Sequence, residues 1–438
     1  MEVADAPGFG AGNGLRQAVF PHRIMKKLHE RGDITMEKIR IGMFGAWRGN
    51  SYIDLMKQED RIEIVAICDK HADKTENLQG LENADVYNDF DAFLEGGKKK
   101  GMNAVFLANY FNQHAPFAIK CLEAGMDVVS ECTSASTMKE CVELVEAVER
   151  TGRKYMIAEN YPFMTFNLKL EKIISEGTLG TLLYAEGEYN HSGNNDELRY
   201  LTPGPYHWRA WMPRTYYVTH AMGPLMYMTK TMPKYVSGRA VHSDLMYEIK
   251  DWRHNYDGVG MMFCEMDNGM IARFTGCTAM ASDYSRYRVC GDRAGVEGGG
   301  YVGNGNQVRT YWFHHTKPED EPSCAKLEDA DLAELGERGQ KAKAAGHGGG
   351  DYWIIQNMID YFLDGKEPFF DVYKGVAMSA TAILGWRSAL NHGENYKIPD
   401  FRIPAERDAV RNDDTTPFPD ENGEGATLPC ALPWPPEA

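Results

Sequence analysis

From Lys38 to about residue 160, short β-branched runs alternate with amphipathic helical stretches, and this alternation constrains the fold more than any other feature. The apolar run IRIGMF leads into a glycine-rich turn, GAWRGN, and a helical SYIDLMKQE. Strand IEIVAICD, the stretch VYNDFDAFLEG, strand NAVFLAN, helical HAPFAIKCLEAG, strand DVVSE, helix MKECVELVEAVERTG and strand KYMIAEN follow. Strands separated by helices cannot pair as hairpins. The crossovers lay them parallel, in a sheet covered by helices on both faces. Such a sheet takes its ligands at the carboxyl ends of its strands.

The residues at those ends fit a dinucleotide. Gly42 and Gly45 close the first strand, Gly49 lies in the turn, and Asp69 ends the second strand 24 residues after Gly45. A tight turn lets a pyrophosphate approach backbone N–H groups at a helix N-terminus, while an acid at the next strand end takes the adenosine ribose hydroxyls, which favours NAD over NADP. The fingerprint G-x-G-x-x-G would place its second glycine at 47, where Trp47 stands instead and would crowd the pyrophosphate. The three glycines alone serve a bare strand-to-helix turn equally well. Strand, turn, helix and Asp69 together point to NAD, with Ala46, Trp47 and Arg48 of the turn and Asn109, Glu131 and Asn160 at later strand ends completing the cofactor set. Loop capping is the structural alternative for Asn109 and Glu131.

After KYMIAEN the pattern changes to longer, partly alternating stretches, LLYAEGEYN, GVGMMFCEMDN, GMIARFTGCTA and SRYRVCGDRAGVEGG, which read as an antiparallel sheet. Helices DYWIIQNMIDYFLDG and VYKGVAMSATAILGWRSALNHG follow. The expected class is therefore α/β: an N-terminal Rossmann domain with a parallel sheet, then a C-terminal α+β domain with a large, mostly antiparallel open sheet. The expected boundaries are an arm over 1–36, the NAD-binding domain over 37–160, a substrate-binding and oligomerisation domain over 161–403, and a tail over 404–438 rich in proline and acid. The tail wraps a surface or a neighbouring subunit, or is disordered.

Composition narrows the partners. A net charge of -16 repels a phosphate backbone, so nucleic acid is not expected. Nine scattered cysteines form no C-x-x-C pair and suggest reduced thiols in the cytoplasm rather than a disulfide framework. No stretch is apolar for long enough to span a bilayer, and no His, Cys and carboxylate set has metal-ligand spacing, so neither membrane nor metal is expected.

Strand order, turn, Asp69, the Ala108-Asn109 pair and Glu131 together resemble the glucose-fructose oxidoreductase and inositol dehydrogenase family (Gfo/Idh/MocA) over about residues 37–400. Members of that family usually carry an E-K-P triplet whose lysine moves a proton during sugar oxidation. Here the triplet is Glu131-Cys132-Thr133. The NAD-dependent glycosidases of glycoside hydrolase family 109 also lack that lysine. Their motifs resemble AENYPFMTFNLKLEKIISEGTLGTLLYAEGEYNH, YHWRAWMPRTYYVTHAMGP and GHGGGDYW in the same order, with Ala221-Met222 replacing the branch's Gly-Leu. The resemblance implies that Tyr189 and His220 carry the chemistry and that Trp208, Arg209, Tyr217 and His347 line a sugar site. A homodimer or homotetramer is implied too.

The resemblance also implies a reaction. Hydride leaves carbon 3 of a sugar, the ketone acidifies the proton on carbon 2, the group on carbon 1 is eliminated, water adds, and the hydride returns. His220 would assist departure of the group on carbon 1 and Tyr189 would handle the proton on carbon 2 or the carbon 3 hydroxyl, with the two labels interchangeable. Each position also has a plainer reading. His220 would serve as a structural histidine, His347 as an exposed loop residue, and the aromatic set Tyr206, His207, Trp211, Tyr216 and Tyr217 as core packing. The sequence does not identify the sugar, the anomer or the aglycone, nor whether a charged group such as an acid or sulfonate is recognised by Arg199, Arg209 or Arg214. A net sugar dehydrogenase, or a noncatalytic sugar or NAD sensor, are the competing functions.

Overall fold

The computed structural model describes residues 38–71, 81–300, 302, 305–331 and 335–434, so the expected arm lies outside the described residues. Strands β1 (Ile39–Phe44), β2 (Ile62–Cys68), β3 (Asp85–Tyr87), β4 (Ala104–Leu107), β5 (Asp127–Ser130) and β6 (Tyr155–Ile157) form one sheet in the order β3-β2-β1-β4-β5-β6. Every pairing in it is parallel. Helices α1 (Ala46–Lys57), α2 (Phe90–Lys99), α3 (His114–Glu123) and α4 (Met138–Thr151) make the crossovers. β4 and β5 are buried at every position, as a central parallel strand covered on both faces must be. α4 begins in a capping box, with Thr137 accepting from the Glu140 N–H and the Glu140 carboxylate reaching back to the Thr137 N–H.

Helix α1 starts at Ala46, so most of the expected turn is helical. The reason is a long-range cap: Gly45 has no side chain to cap the helix, and the Asp69 carboxylate accepts from the Ala46 N–H at 2.8 Å instead.

The second sheet is built from β7 (Leu182–Asn190), β8 (Pro233–His242), β9 (Asp257–Met266), β10 (Ile271–Cys277), β11 (Tyr284–Gly291), β12 (Ala294–Gly299), β13 (Gln307–Trp312), β14 (Ala325–Asp329) and β15 (Tyr396–Lys397). Its order is β14-β13-β12-β11-β7-β10-β9-β8-β15, antiparallel throughout except for β7 against β10. Helices α5 (Thr165–Ser175), α6 (Thr219–Thr229) and α8 (Val372–Leu390) cover one face, and α7 (Gly350–Phe362) packs on α1. The other face is open. It carries an ion-pair lattice in which Glu186 meets Arg273 and Arg288, and Glu297 meets Arg286 and Arg309.

A single buried apolar cluster runs from Val65 of the first sheet through the covered face of the second to Phe418. The stretch after 404 folds back on this body: Arg387 forks onto Asp413, the Trp386 indole donates to Pro429 O, and the Asn255 amide donates to Cys430 O.

Candidate functional site

The carboxyl edge of the first sheet gathers Gly45, Asp69, Asn109, Glu131 and Asn160, each one to three residues past the end of β1, β2, β4, β5 or β6. Asp69 is held by two N–H donors, Ala46 and His71, at 2.8 and 2.9 Å. Glu131 accepts from Arg48 at 2.6 Å and from the Tyr52 hydroxyl at 3.1 Å, so Arg48 of the turn is tied to the end of β5. Trp47 is 55 % exposed, its ring turned to solvent. The edge fits NAD. Among the described residues, the buried Oδ1 atoms of Asn109 and Asn160 have no hydrogen-bond partner, as acceptors kept for a ligand would not.

Tyr189 and His220 come from the second half of the chain to meet this edge. Tyr189 ends β7, and His220 lies in the first turn of α6. The two elements touch because residue 187 of β7 is glycine: a Cβ there would lie 2.1 Å from the Ala221 carbonyl. The rings of Tyr189 and His220 meet at 4.9 Å, edge to face, and Tyr161 stacks on His220 at 4.2 Å. Tyr217 closes the group, 5.6 Å from Tyr189 and 5.7 Å from His220.

A residue not singled out in the sequence organises this group. Glu159, fully buried at the end of β6, holds His220 Nδ1 at 2.8 Å through Oε1 and accepts from Cys132 Sγ at 3.0 Å through Oε2. A carboxylate can only accept, so Nδ1 carries the proton and Nε2 is left as the free nitrogen. Glycine at 223 makes room for the glutamate, since a Cβ there would sit 2.6 Å from Glu159 Cγ. One ligand atom from each of Cys132, Glu159 and His220 lies within 4.8 Å of the others, a cluster unforeseen when no metal set was expected. Hydrogen bonds among the three account for its geometry. Burial, then Glu159, pushes the Cys132 thiol well above its usual range, so it stays a thiol. Burial likewise pushes the Tyr189 phenol well up, helped by Tyr217 and Tyr161, so it stays protonated.

The expected sugar-site residues divide. Arg209 lies with its guanidinium over the Trp208 ring at 4.3 Å and the Tyr217 ring at 5.3 Å, and it lines a cleft with Tyr189 and Tyr217. Trp208, expected as a wall of the site, is 8 % exposed and stacked on Phe111 at 4.8 Å, so it supports Arg209 from below. His347 binds Asp351 through Nδ1 at 2.8 Å and stands 6.0 Å from Tyr161. Asp351 also accepts from Asn160, so this loop is tied to the cofactor edge. Of the aromatic stretch, Tyr216 is core, packed on Trp386 and Phe418, and Trp211 stacks on His254.

Residues 39–159 match the oxidoreductase family with an NAD-binding Rossmann fold, and residues 327–405 match the glycosyl hydrolase 109 C-terminal domain. A glycosyl hydrolase family 109 protein 1 of Shewanella sp. (strain ANA-3) is 27% identical, the alignment covering 84% of this chain and 85% of the relative. An alpha-N-acetylgalactosaminidase of Shewanella oneidensis is 26% identical, with the same coverage of 84% and 85%. Among solved structures, the WlbA dehydrogenase from Bordetella pertussis in complex with NADH and UDP-GlcNAcA superposes with a TM-score of 0.65 at 20% identity, over 84% of this chain and 99% of that one. An inositol dehydrogenase homolog from Azotobacter vinelandii, complexed with NADH and myo-inositol, gives 0.64 at 18% identity, over 83% and 100%. The N-terminal Rossmann domain is thus similar to the NAD-binding Gfo/Idh/MocA oxidoreductases, and the C-terminal region to the glycosyl hydrolase 109 type.

Proposed function

We propose that the chain hydrolyses glycosides by transient oxidation at carbon 3, and the observation that carries this reading is the His220–Glu159 pair facing Tyr189, with Cys132 at the triplet position of the usual lysine bonded to the same glutamate. The names of the relatives point the same way. Asp69, the Gly45–Arg48 turn, Asn109, Glu131 and Asn160 would hold NAD, which, when bound, would accept a hydride from carbon 3 and return it, the carbon 3 hydroxyl giving its proton to solvent in the first of these steps and regaining it in the second. Arg209 and Tyr217 position the sugar, and His347 stands at the rim.

The Glu159 contact and the burial of Tyr189 favour the reverse of the expected proton roles. His220 Nε2, with Nδ1 anchored on a buried carboxylate, is the base that takes the proton from carbon 2 beside the ketone. Tyr189, held protonated by burial, gives its proton to the oxygen leaving carbon 1 as that bond breaks. Water then adds its oxygen to carbon 1, His220 returns the proton to carbon 2, and the proton released by water restores the phenol. Cys132 takes no part as a nucleophile, because its thiol does not ionise there.

Aryl glycosides test this directly. The expected result is release of the phenol with no net growth of NADH absorbance over many turnovers. Steady accumulation of NADH with no phenol would instead identify a net sugar dehydrogenase.

The open face of the second sheet bears on assembly. Phe263, Ile271, Tyr311 and Leu327 stand exposed on it among the ion pairs, and their ladder partners place them on the same side. We infer that a second copy covers this face, giving a homodimer or homotetramer. Light scattering on the purified protein is expected to give two or four times the 49.3 kDa of one chain, and a monomer at micromolar concentration would refute it. Nine cysteines without a disulfide suit a reducing compartment such as the cytoplasm. Among the described residues no helix is long and apolar enough to cross a membrane.

A further inference from the structure

The cleft beside Tyr189 and Tyr217 extends into the second sheet and ends on cations: Arg209, Arg214 and Arg253 all line it. Arg214 is 4 % exposed and Arg253 is 2 % exposed, so water hydrates neither charge well. Among the described residues, the Nε of Arg214 and both Nε and Nη2 of Arg253 are buried without a hydrogen-bond partner. The two terminal nitrogens of Arg214 reach only Thr278 Oγ1 at 3.5 Å and Met212 O at 3.4 Å.

Arginines elsewhere, even Arg273 and Arg387 whose Nε is likewise unpartnered, keep a carboxylate. Arg273, Arg286, Arg387 and Arg411 each reach a carboxylate within 3.0 Å. In the cleft the acids are few. Glu197 lines it but is exposed, and Asp257, the acid beside Arg214, is pushed up by burial to about 6. Burial drives Arg214 down to about 10, and it drives Arg253 well down with the added repulsion of Arg214 and Arg209.

A buried charge is normally paired, because solvation lost on burial must be replaced by a counter-charge. A guanidinium is also a planar fork of donors that matches an oxyanion. Three of them lining one cleft, two buried with unmet donors, leave room for a charge that arrives with the substrate.

We propose that this cleft receives an anionic substituent of the glycoside, a carboxylate, sulfate or phosphate, bound by Arg253 and Arg214 with Arg209 on the sugar side. The proposal rests on the reading of Tyr189 and His220 as the sugar site. It adds the class of substrate: an acidic glycoside rather than a neutral one. The anion sits on the sugar or on the aglycone, and paired probes separate the two.

The test measures affinity by calorimetry on the NAD-loaded full chain, with phenol release from the aryl probes and NADH absorbance both followed alongside. Methyl glucuronide and galacturonide are compared with methyl glucoside and galactoside for a charge on the sugar, 6-O-sulfo and 6-O-phospho galactosides with the same neutral parent, and 4-carboxyphenyl with phenyl glycosides for a charge on the aglycone. At least one anionic probe is expected to bind about a hundredfold tighter than its neutral parent, since polar groups built to meet a partner discriminate strongly against its absence. Arg253→Met and Arg214→Met are each expected to bring that ratio down toward one, and Arg253→Met to melt higher than the parent protein because it removes an unpaired buried charge.

A ratio near one for every pair in the unaltered protein overturns the proposal, whether or not the variants fold. So does a ratio that survives both substitutions, or failure of every anionic probe to bind at millimolar concentration. Anion-dependent binding with neither phenol release from the aryl probes nor NADH formation keeps the subsite and removes the hydride chemistry. Phenol release from neutral and anionic aryl probes alike, with no preference in binding, keeps the chemistry and removes the subsite.

Discussion

Glu159→Gln is expected to lower turnover by at least about a hundredfold, close to the loss from His220→Ala, and the double variant to be no worse than the poorer single one. The argument is geometric. Glu159 Oε1 is 2.8 Å from His220 Nδ1, and the imidazole has no other hydrogen-bond partner on that nitrogen. A glutamine fills the same space but is uncharged, so the imidazolium formed when Nε2 takes a proton loses its counter-charge. Its amide can also present N–H where the oxygen stood, which selects the tautomer with the proton on Nε2. Residues acting as one unit are not additive: once the base is mispositioned, removing it costs little more.

Both variants are expected to fold and to bind NAD within about twofold of the parent, because neither residue belongs to the cofactor edge, and in His220→Ala the carboxylate keeps the Cys132 thiol and the Tyr161 N–H as donors. Added imidazole is expected to restore part of the activity of His220→Ala and none of that of Glu159→Gln, whose own ring blocks the space. Wild-type turnover in either variant would remove the pair from the mechanism.

How much of this site was legible before the structure depended on the range of the interaction. The Rossmann half was readable because its signals are local: each strand is a short apolar run, each helix has its own periodicity, and the ligand edge is wherever a strand stops. Asp69, Asn109 and Glu131 were found by that rule. The start of α1 was misplaced because its cap comes from Asp69, on another strand, and no local pattern announces it. Glu159 stands in the quoted stretch KYMIAEN yet was passed over, since its meaning lies in His220, sixty-one positions away. β8 and β13 to β15 lie toward the two ends of the second sheet and carry mixed or charged patterns such as PKYVSGRAVH and AKLED, which lack a clean alternation. Tyr216 and Tyr217 are adjacent in sequence, and only the turn around 217 decides that one goes to the core and the other to the site. Arg253 sits in MYEIKDWRHNYD, where nothing local marks a buried cation.

Gly45→Ala is expected to abolish measurable NAD binding and to cost about 3 kcal/mol or more of stability, the sum of a strained backbone and a clash that cannot relax. Gly45 has φ +98, outside the range an L side chain adopts readily, and an added Cβ would lie 2.3 Å from the Ala108 carbonyl oxygen and 2.7 Å from the Asn109 nitrogen. Those atoms are backbone at the end of β4, so relief would have to move the very loop that carries Asn109. Gly49→Ala is the contrast. Its Cβ would meet Met43 Sδ at 2.5 Å and Cγ at 2.8 Å, within a flexible side chain that can turn aside. That variant is expected to lose about 1–2 kcal/mol and to keep NAD within a few-fold of the parent. The pair therefore separates the glycine that shapes the cofactor turn from one that only lets a helix lie close to a strand. It also explains how the turn works with Trp47 where a second fingerprint glycine would stand: the tight approach depends on Gly45, and Trp47 faces solvent. NAD titrations by fluorescence and thermal melts of both variants decide it, and equal NAD affinity in Gly45→Ala and the parent protein would show that the cofactor does not use this turn.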